Sequence, residues 1–224
     1  MSSSPSSTSW SLIRDAARGH GPARSVFAKT YLPLVRAFFA ARWRGNPLTD
    51  DVEDGIQETF VECFREDGPL AKAEANVRDF RAYLFGIVRH VAQRFEERRG
   101  RLPDAASVDV QAIQARDDRL SQVFDRGWAH TMMRLTGELM QARSEAGGAA
   151  ARLRIELLRL RFQKGLPIRE IAAQWEMDPD AVHRAYARAR DEFHTCLRLI
   201  VREHAVRTEE DLDAECRRLL AMLG

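Results

Sequence analysis

The sequence predicts an all-α protein: two small helical domains joined by a flexible linker, followed by a C-terminal helical tail. Three observations predict this. Apolar residues recur at three- and four-residue spacing in almost every periodic stretch. No run alternates as a half-buried strand would, and no Asn-Gly pair marks a hairpin. A polar, weakly periodic stretch at 101–120, with Pro103 in it, separates two groups of amphipathic segments. The chain has 224 residues, 45% of them hydrophobic, which is enough apolar material for one ordinary domain or two small ones.

The elements follow in order. Residues 1–9 are Ser-rich and expected to be disordered, and without an apolar run the start does not read as a signal peptide. A first helix is expected from Ser11 to Arg18, ended by Gly19 and Gly21. A second, Arg24 to Arg44, carries Val26, Phe27, Tyr31, Leu34, Val35, Phe38 and Phe39. Pro33 inside it predicts a kink or break, since proline removes one backbone donor and crowds the preceding turn. Gly45-Asn46-Pro47 stops it.

A third helix, from Thr49 or Asp50 to Arg65, has the stripe Val52, Ile56, Phe60, Cys63 and Phe64. Asp54, Gln57, Glu58 and Val61 fall on its opposite side. After Gly68-Pro69 the next strong helix is Phe80 to Arg98. Phe80, Tyr83, Leu84, Ile87, Val88, Val91 and Phe95 form its apolar face, and Gly86, Arg89, His90 and Gln93 project on the other. Beyond the linker, Phe124, Trp128, Met132, Leu135 and Leu139 predict a helix over 121–143, interrupted by Gly147-Gly148. Shorter helices are expected at 152–163 and 168–175, and a long one from Pro179 to about Arg202. Thr208, three residues before Asp211, resembles a capping box opening a last helix with Leu212, Cys216, Leu219 and Leu220.

Net charge is only +2, but its distribution is uneven. Thr49 to Glu66 holds seven acids and one base, whereas Arg152 to Arg202 holds eleven bases and seven acids. That asymmetry points to two kinds of partner, one a protein and one a polyanion. Cys63, Cys196 and Cys216 have neither metal nor disulfide spacing, which fits a reducing cytoplasm. No apolar run is long enough for a bilayer. No nucleophile, metal set or phosphate loop accompanies Asp54 and Glu58, so no catalytic residue, metal or cofactor is expected.

Residues 165–190 have the pattern of a helix-turn-helix. Ile168, Ile171, Ala172 and Met177 supply the apolar side of a short helix, and Asp178-Pro179 suits the start of a second. Val182, Ala185, Tyr186, Ala189 and Phe193 would be buried, leaving Asp180, His183, Arg184, Ala187 and Arg188 outward, with Ala181 beside them. Such a second helix enters the major groove by its N-terminal half. Arg184 is placed for a base edge and Arg188 for a phosphate. An ordinary amphipathic hairpin with a solvated Arg face would carry the same pattern. Glu176 stands where such turns usually place Gly, and a left-handed backbone there costs about 1 kcal/mol. In the 80–98 helix, Tyr83 and Phe85, with Phe85 the more outward, and the basic end Arg94, Arg98, Arg99 and Arg101 are candidates for holding a single strand by stacking and charge. Tyr83 as core, with solvated arginines, is the competing reading.

Three segments together resemble one family. Residues 50–65 (Asp-Asp-Val-Glu-Asp-Gly-Ile-Gln-Glu-Thr-Phe-Val-Glu-Cys-Phe-Arg) resemble region 2.2 of RNA polymerase σ factors, residues 80–99 resemble regions 2.3–2.4, and residues 165–190 resemble region 4.2. The chain is thus similar to the small extracytoplasmic-function (ECF) σ factors. Thr8 to Leu12, Phe124 to Ala129 and Thr208 to Leu223 look like the subgroup abundant in planctomycetes. The resemblance implies a region 2-like domain over 10–100, a region 4-like domain over 121–204 and an extension over 205–224. It implies core polymerase as partner, through the β′ clamp and β flap, with Asp54, Gln57, Glu58 and Val61 docking on the clamp. It implies capture of melted −10 DNA by Tyr83, Phe85, Arg89, His90, Gln93 and Arg94. It implies duplex −35 reading by Asp180, Ala181, His183, Arg184, Ala187 and Arg188. An anti-σ factor or another protein regulator is a further candidate partner. His90 stands where many members carry Asn, Gly86 replaces a common basic or polar residue, and Ala185 and Ala187 replace frequent Arg and His. A stand-alone helix-turn-helix regulator and a protein-only helical adaptor are the alternatives.

Overall fold

The computed structural model describes residues 9–76, 79–99, 110–204 and 208–223. The described residues form helices and no strand, so the chain is all-α. The helices are α1 (Ser9–Ala17), α2 (Gly21–Arg42), α3 (Val52–Phe64), α4 (Pro69–Asn76), α5 (Phe80–Arg98), α6 (Val110–Phe162), α7 (Ile168–Gln174), α8 (Pro179–Arg202) and α9 (Glu209–Ala221), with a 3-10 turn at Pro47–Asp51 before α3. The expected disorder of 1–9 falls, but for Ser9, outside the described residues, as does the first part of the expected linker, 101–109.

Local chemistry explains several helix starts. The Asn46 side chain accepts from the Leu48 N–H at 2.9 Å and opens the 3-10 turn beside Pro47. Asp79 accepts from the Ala82 N–H at 3.1 Å and starts α5. Asp178 accepts from the Ala181 N–H at 3.0 Å, and Pro179, which has no N–H to lose, takes the first turn of α8. Thr208 and Asp211 form a reciprocal capping box at α9.

Three elements differ from expectation. α2 runs unbroken through Pro33, held by buried Phe27 and Tyr31 before it and Leu34, Phe38 and Phe39 after it. Pro69 does not only end a pattern: it opens α4, whose Leu70 and Ala73 are buried. α6 already begins at Val110, within the stretch expected to be linker, and joins the two helices expected at 121–143 and 152–163. The join is a bend at Gly148 (φ 74°, ψ −164°), a backbone conformation open in practice only to glycine.

Packing divides at that bend. One large core takes Phe27, Tyr31 and Phe38 of α2, Phe60 of α3 and Phe80, Leu84 and Val88 of α5. The same core takes Leu120, Phe124, Trp128 and Met132 of α6, Leu197, Ile200 and Val201 of α8, and Leu212, Cys216 and Leu219 of α9. Gly127 lets α6 lie close on α2, since a Cβ there would meet Leu34 Cδ1 at 2.8 Å. A second, small core consists of Leu157, Ile168, Ile171, Ala172 and Val182. The 24 residues of α8 span about 36 Å and belong to both cores, one at each end.

Two buried polar clusters fasten the large core. Arg42 and Glu96, 7% and 9% exposed, pair through Nε–Oε1 at 2.7 Å and Nη2–Oε2 at 2.9 Å, and Trp43 Nε1 donates to the same carboxylate at 2.9 Å. Burial pushes the Glu96 carboxyl up, but the hydrogen bonds and charge of Arg42 outweigh it, leaving the group below its ordinary range. At the other end, Tyr31, Trp128 and His204 converge: Tyr31 stacks on Trp128 at 6.1 Å between ring centres, and the His204 ring meets Trp128 edge-on at 5.3 Å.

Candidate nucleic-acid interface

The helix-turn-helix of α7 and α8 is built on the small core. Ala172 is 1% exposed, and its small side chain lets α7 sit directly against α8. The turn between them bonds Met177 N–H to the Ala172 carbonyl at 3.0 Å. Glu176 in that turn has φ +51°, the left-handed conformation its position predicted. Val182 and Ala189 are buried and Ala185, Tyr186 and Phe193 half-buried, so the opposite side of α8 faces solvent. Asp180, His183, Arg184, Ala187 and Arg188 are exposed there, with Ala181 at the margin. Arg184 lies 3.9 Å from Asp178, both largely exposed, a contact too weak to hold the guanidinium. Arg190 lies over the Tyr186 ring at 5.8 Å.

On α3 the expected protein-docking face is only partly free. Asp54 and Gln57 are exposed, and Val61 is 62% exposed. Glu58 is turned inward onto α5. Arg94 binds it at 3.0 Å, Arg98 binds its other oxygen, and Arg94 also reaches Glu62 at 3.4 Å. Partial burial raises the Glu58 pKa and the two arginines lower it, with a net fall. Beside Val61, an open groove of about 730 Å³ runs between α2 and α3 over Ala28, Leu32, Ile56, Phe60 and Phe64.

The six residues expected on the strand-capturing face of α5 are scattered in role. His90 is exposed and Gln93 half-buried. Tyr83 donates its hydroxyl to the Pro69 carbonyl at 2.6 Å, and burial raises its pKa. Arg94 is held by Glu58 and Glu62. Arg89 pairs with Asp117 of α6 at 2.7 Å. Phe85, expected outward, is a correction: its ring packs on Phe38 and Phe124 at 5.8 and 5.0 Å. The physical reason is that α6 covers the side of α5 that a single-helix reading leaves to solvent.

Reasoning from the sequence missed Asp117 and Asp125, which face α5 from α6. Extending the Phe124–Trp128 stripe one turn back through Leu120 would have brought them into view. Cys63, Cys196 and Cys216 are all buried, and burial pushes the Cys63 thiol up to about 12, so none is poised as a nucleophile. Among the described residues no cluster of His, Cys, Asp or Glu is placed to hold a metal ion, and no helix is long and apolar enough to cross a membrane. Compared with family models, curated proteins and solved structures, the chain matches none.

Proposed function

We propose that the chain is a dissociable specificity subunit of bacterial RNA polymerase, an ECF-type σ factor that directs initiation at promoters. The observation that carries this reading is the exposed row Asp180, His183, Arg184, Ala187 and Arg188 on a helix whose turn geometry is that of a helix-turn-helix. Guanidinium groups in the first turns of such a helix suit guanine edges and phosphates of duplex DNA. The exposed Asp54, Gln57 and Val61 on α3, beside an apolar groove, supply a separate surface for the polymerase clamp. α5 supplies the strand-capturing side chains, and no step of this reading asks for catalysis or a cofactor by this chain.

One observation favours a stand-alone duplex-binding regulator instead: Phe85, Arg89 and Arg94 of α5 are engaged within the chain, while the α8 row is open. Both readings are separated by one experiment. Purified chain is mixed with bacterial core polymerase and a library of upstream sequences, and transcripts are mapped. Start-site-specific transcripts that need this chain and no other σ support the proposal. Duplex binding without association with core polymerase would replace it by the regulator.

A further inference from the structure

Resting on that reading, we propose that the N-terminal half of α6 is an autoinhibitory strap that closes the strand-capturing face of α5 in the free chain. Arg81, Phe85 and Arg89 stand one helical turn apart on α5 and so form a single row. They meet Asp125, Phe124 and Asp117 of α6 in reverse order, so the two helices run antiparallel along the row. Arg81 pairs with Asp125, the Phe85 ring meets Phe124 at 5.0 Å, and Arg89 pairs with Asp117 at 2.7 Å. From the same part of α6, Arg116 donates to the Arg42 carbonyl at 3.2 Å.

The chemistry of the covered row fits its occupant. A single strand is held by cations on its phosphates and by flat rings on its bases. The strap supplies a carboxylate to each arginine and a ring to the phenylalanine, so strand and strap compete for the same three side chains. The strap also has a weak end. Phe124 is fully buried, whereas Asp117 is 32% exposed and only Leu120 anchors α6 between them. An ion pair this exposed adds little stability, so opening starts at Asp117 and moves toward Phe124. The free chain is then a poor ligand for single strands because its competent form is a minor one.

The test uses the full chain and a fluorescein-labelled pool of random single-stranded 12-mers, read by anisotropy. Asp117→Asn with Asp125→Asn leaves every α5 side chain in place and is expected to bind about tenfold tighter than wild type, by raising the competent fraction. Backbone amides of 114–127 are expected to exchange faster in that variant, and adding Arg89→Ala is expected to remove the gain. Glu145→Gln with Glu210→Gln, two exposed acids outside the strap, controls for net charge and should leave binding unchanged. No tightening in the double variant overturns the strap whether or not exchange rises. Equal tightening in the charge control, or a gain that survives Arg89→Ala, overturns it too. Capture of core polymerase by the wild-type chain is scored separately and bears on the proposed function alone.

Discussion

The Tyr31 hydroxyl meets His204 Nε2 at 3.0 Å in a buried contact that joins α2 to the end of α8 across 173 positions of sequence. His204 Nδ1 lies 2.6 Å from the Ile200 carbonyl, which can only accept, so Nδ1 carries the proton. Nε2 of the neutral ring is then the acceptor for Tyr31. The His204 carbonyl also accepts from the Phe80 N–H at 3.1 Å, bringing α5 to the same junction.

Complete burial pushes the His204 pKa down from 6.5 to about 4. Below 6.5 the unfolded chain therefore binds a proton that the folded chain refuses. Stability is expected to fall as pH drops from 6.5 towards 4, by on the order of 3 kcal/mol from this group. Denaturant melts at several pH values check this. His204→Gln, which can keep a donor towards Ile200 and an acceptor towards Tyr31, should flatten that segment of the profile. A variant profile as steep as wild type would remove His204 as its cause.

Glu96→Ala leaves the Arg42 guanidinium and the Trp43 indole N–H buried without their shared acceptor. Loss of about 3–5 kcal/mol is expected, whereas Arg42→Met with Glu96→Leu should lose far less, because no charge is then stranded. Since the folded Glu96 pKa lies below 4.5, its contribution is present above that pH and disappears as acid protonates the folded carboxylate. Thermal melts of both variants at neutral pH decide the matter, and equal losses would contradict it.

What was legible in the sequence was local. α5 and α8 lie at the bounds expected of them, α5 from its apolar stripe and α8 from Asp178-Pro179, which act within one turn of themselves. The turn between α7 and α8 was legible down to the left-handed Glu176 for the same reason. What was not legible depended on a distant neighbour. Phe85 reads as outward on a helical wheel of α5 alone, and it is Phe38 of α2 and Phe124, 39 positions on, that half-bury it against the core. The polar 110–120 segment reads as tether until Arg116 and Asp117 find Arg42 and Arg89. α4 was missed because, among the side chains described, its buried face is Leu70 and Ala73.

Glu176→Gly relieves a left-handed backbone without touching a packed side chain, since Glu176 is exposed. A gain of about 0.5–1 kcal/mol is expected, less than the full local strain because glycine also gains freedom in the unfolded chain. The same chain should retain its duplex-DNA binding. Thermal melting measures the first and gel shift the second, and a lower melting temperature would mean that the Glu176 side chain stabilises the turn in some other way.

On α3, exposed and engaged acids should separate. Asp54→Ala with Val61→Ala removes an exposed carboxylate and an exposed aliphatic, so melting should stay within about 0.5 kcal/mol while capture of core polymerase falls several-fold. Glu58→Ala instead strips Arg94 and Arg98 of their shared acceptor and should lower the melting temperature as well. Unchanged capture by the first variant would move the docking surface off α3.

Arg184 and Arg188 differ in what their loss should do to duplex binding. Arg184 sits two turns into α8 at a position suited to a base edge, held only by a 3.9 Å contact to Asp178 that DNA can displace. Arg184→Ala is expected to cost about 1–3 kcal/mol on the best upstream sequence and to relax preference at one base pair. Arg188, one turn further along, is placed for the backbone, so Arg188→Ala should weaken all sequences alike and reduce the salt dependence by about one counterion. Selection from a randomised duplex library at two salt concentrations measures both. If Arg188→Ala changes the selected sequence and Arg184→Ala does not, the two roles are reversed. If neither alters binding, α8 does not read DNA through this face.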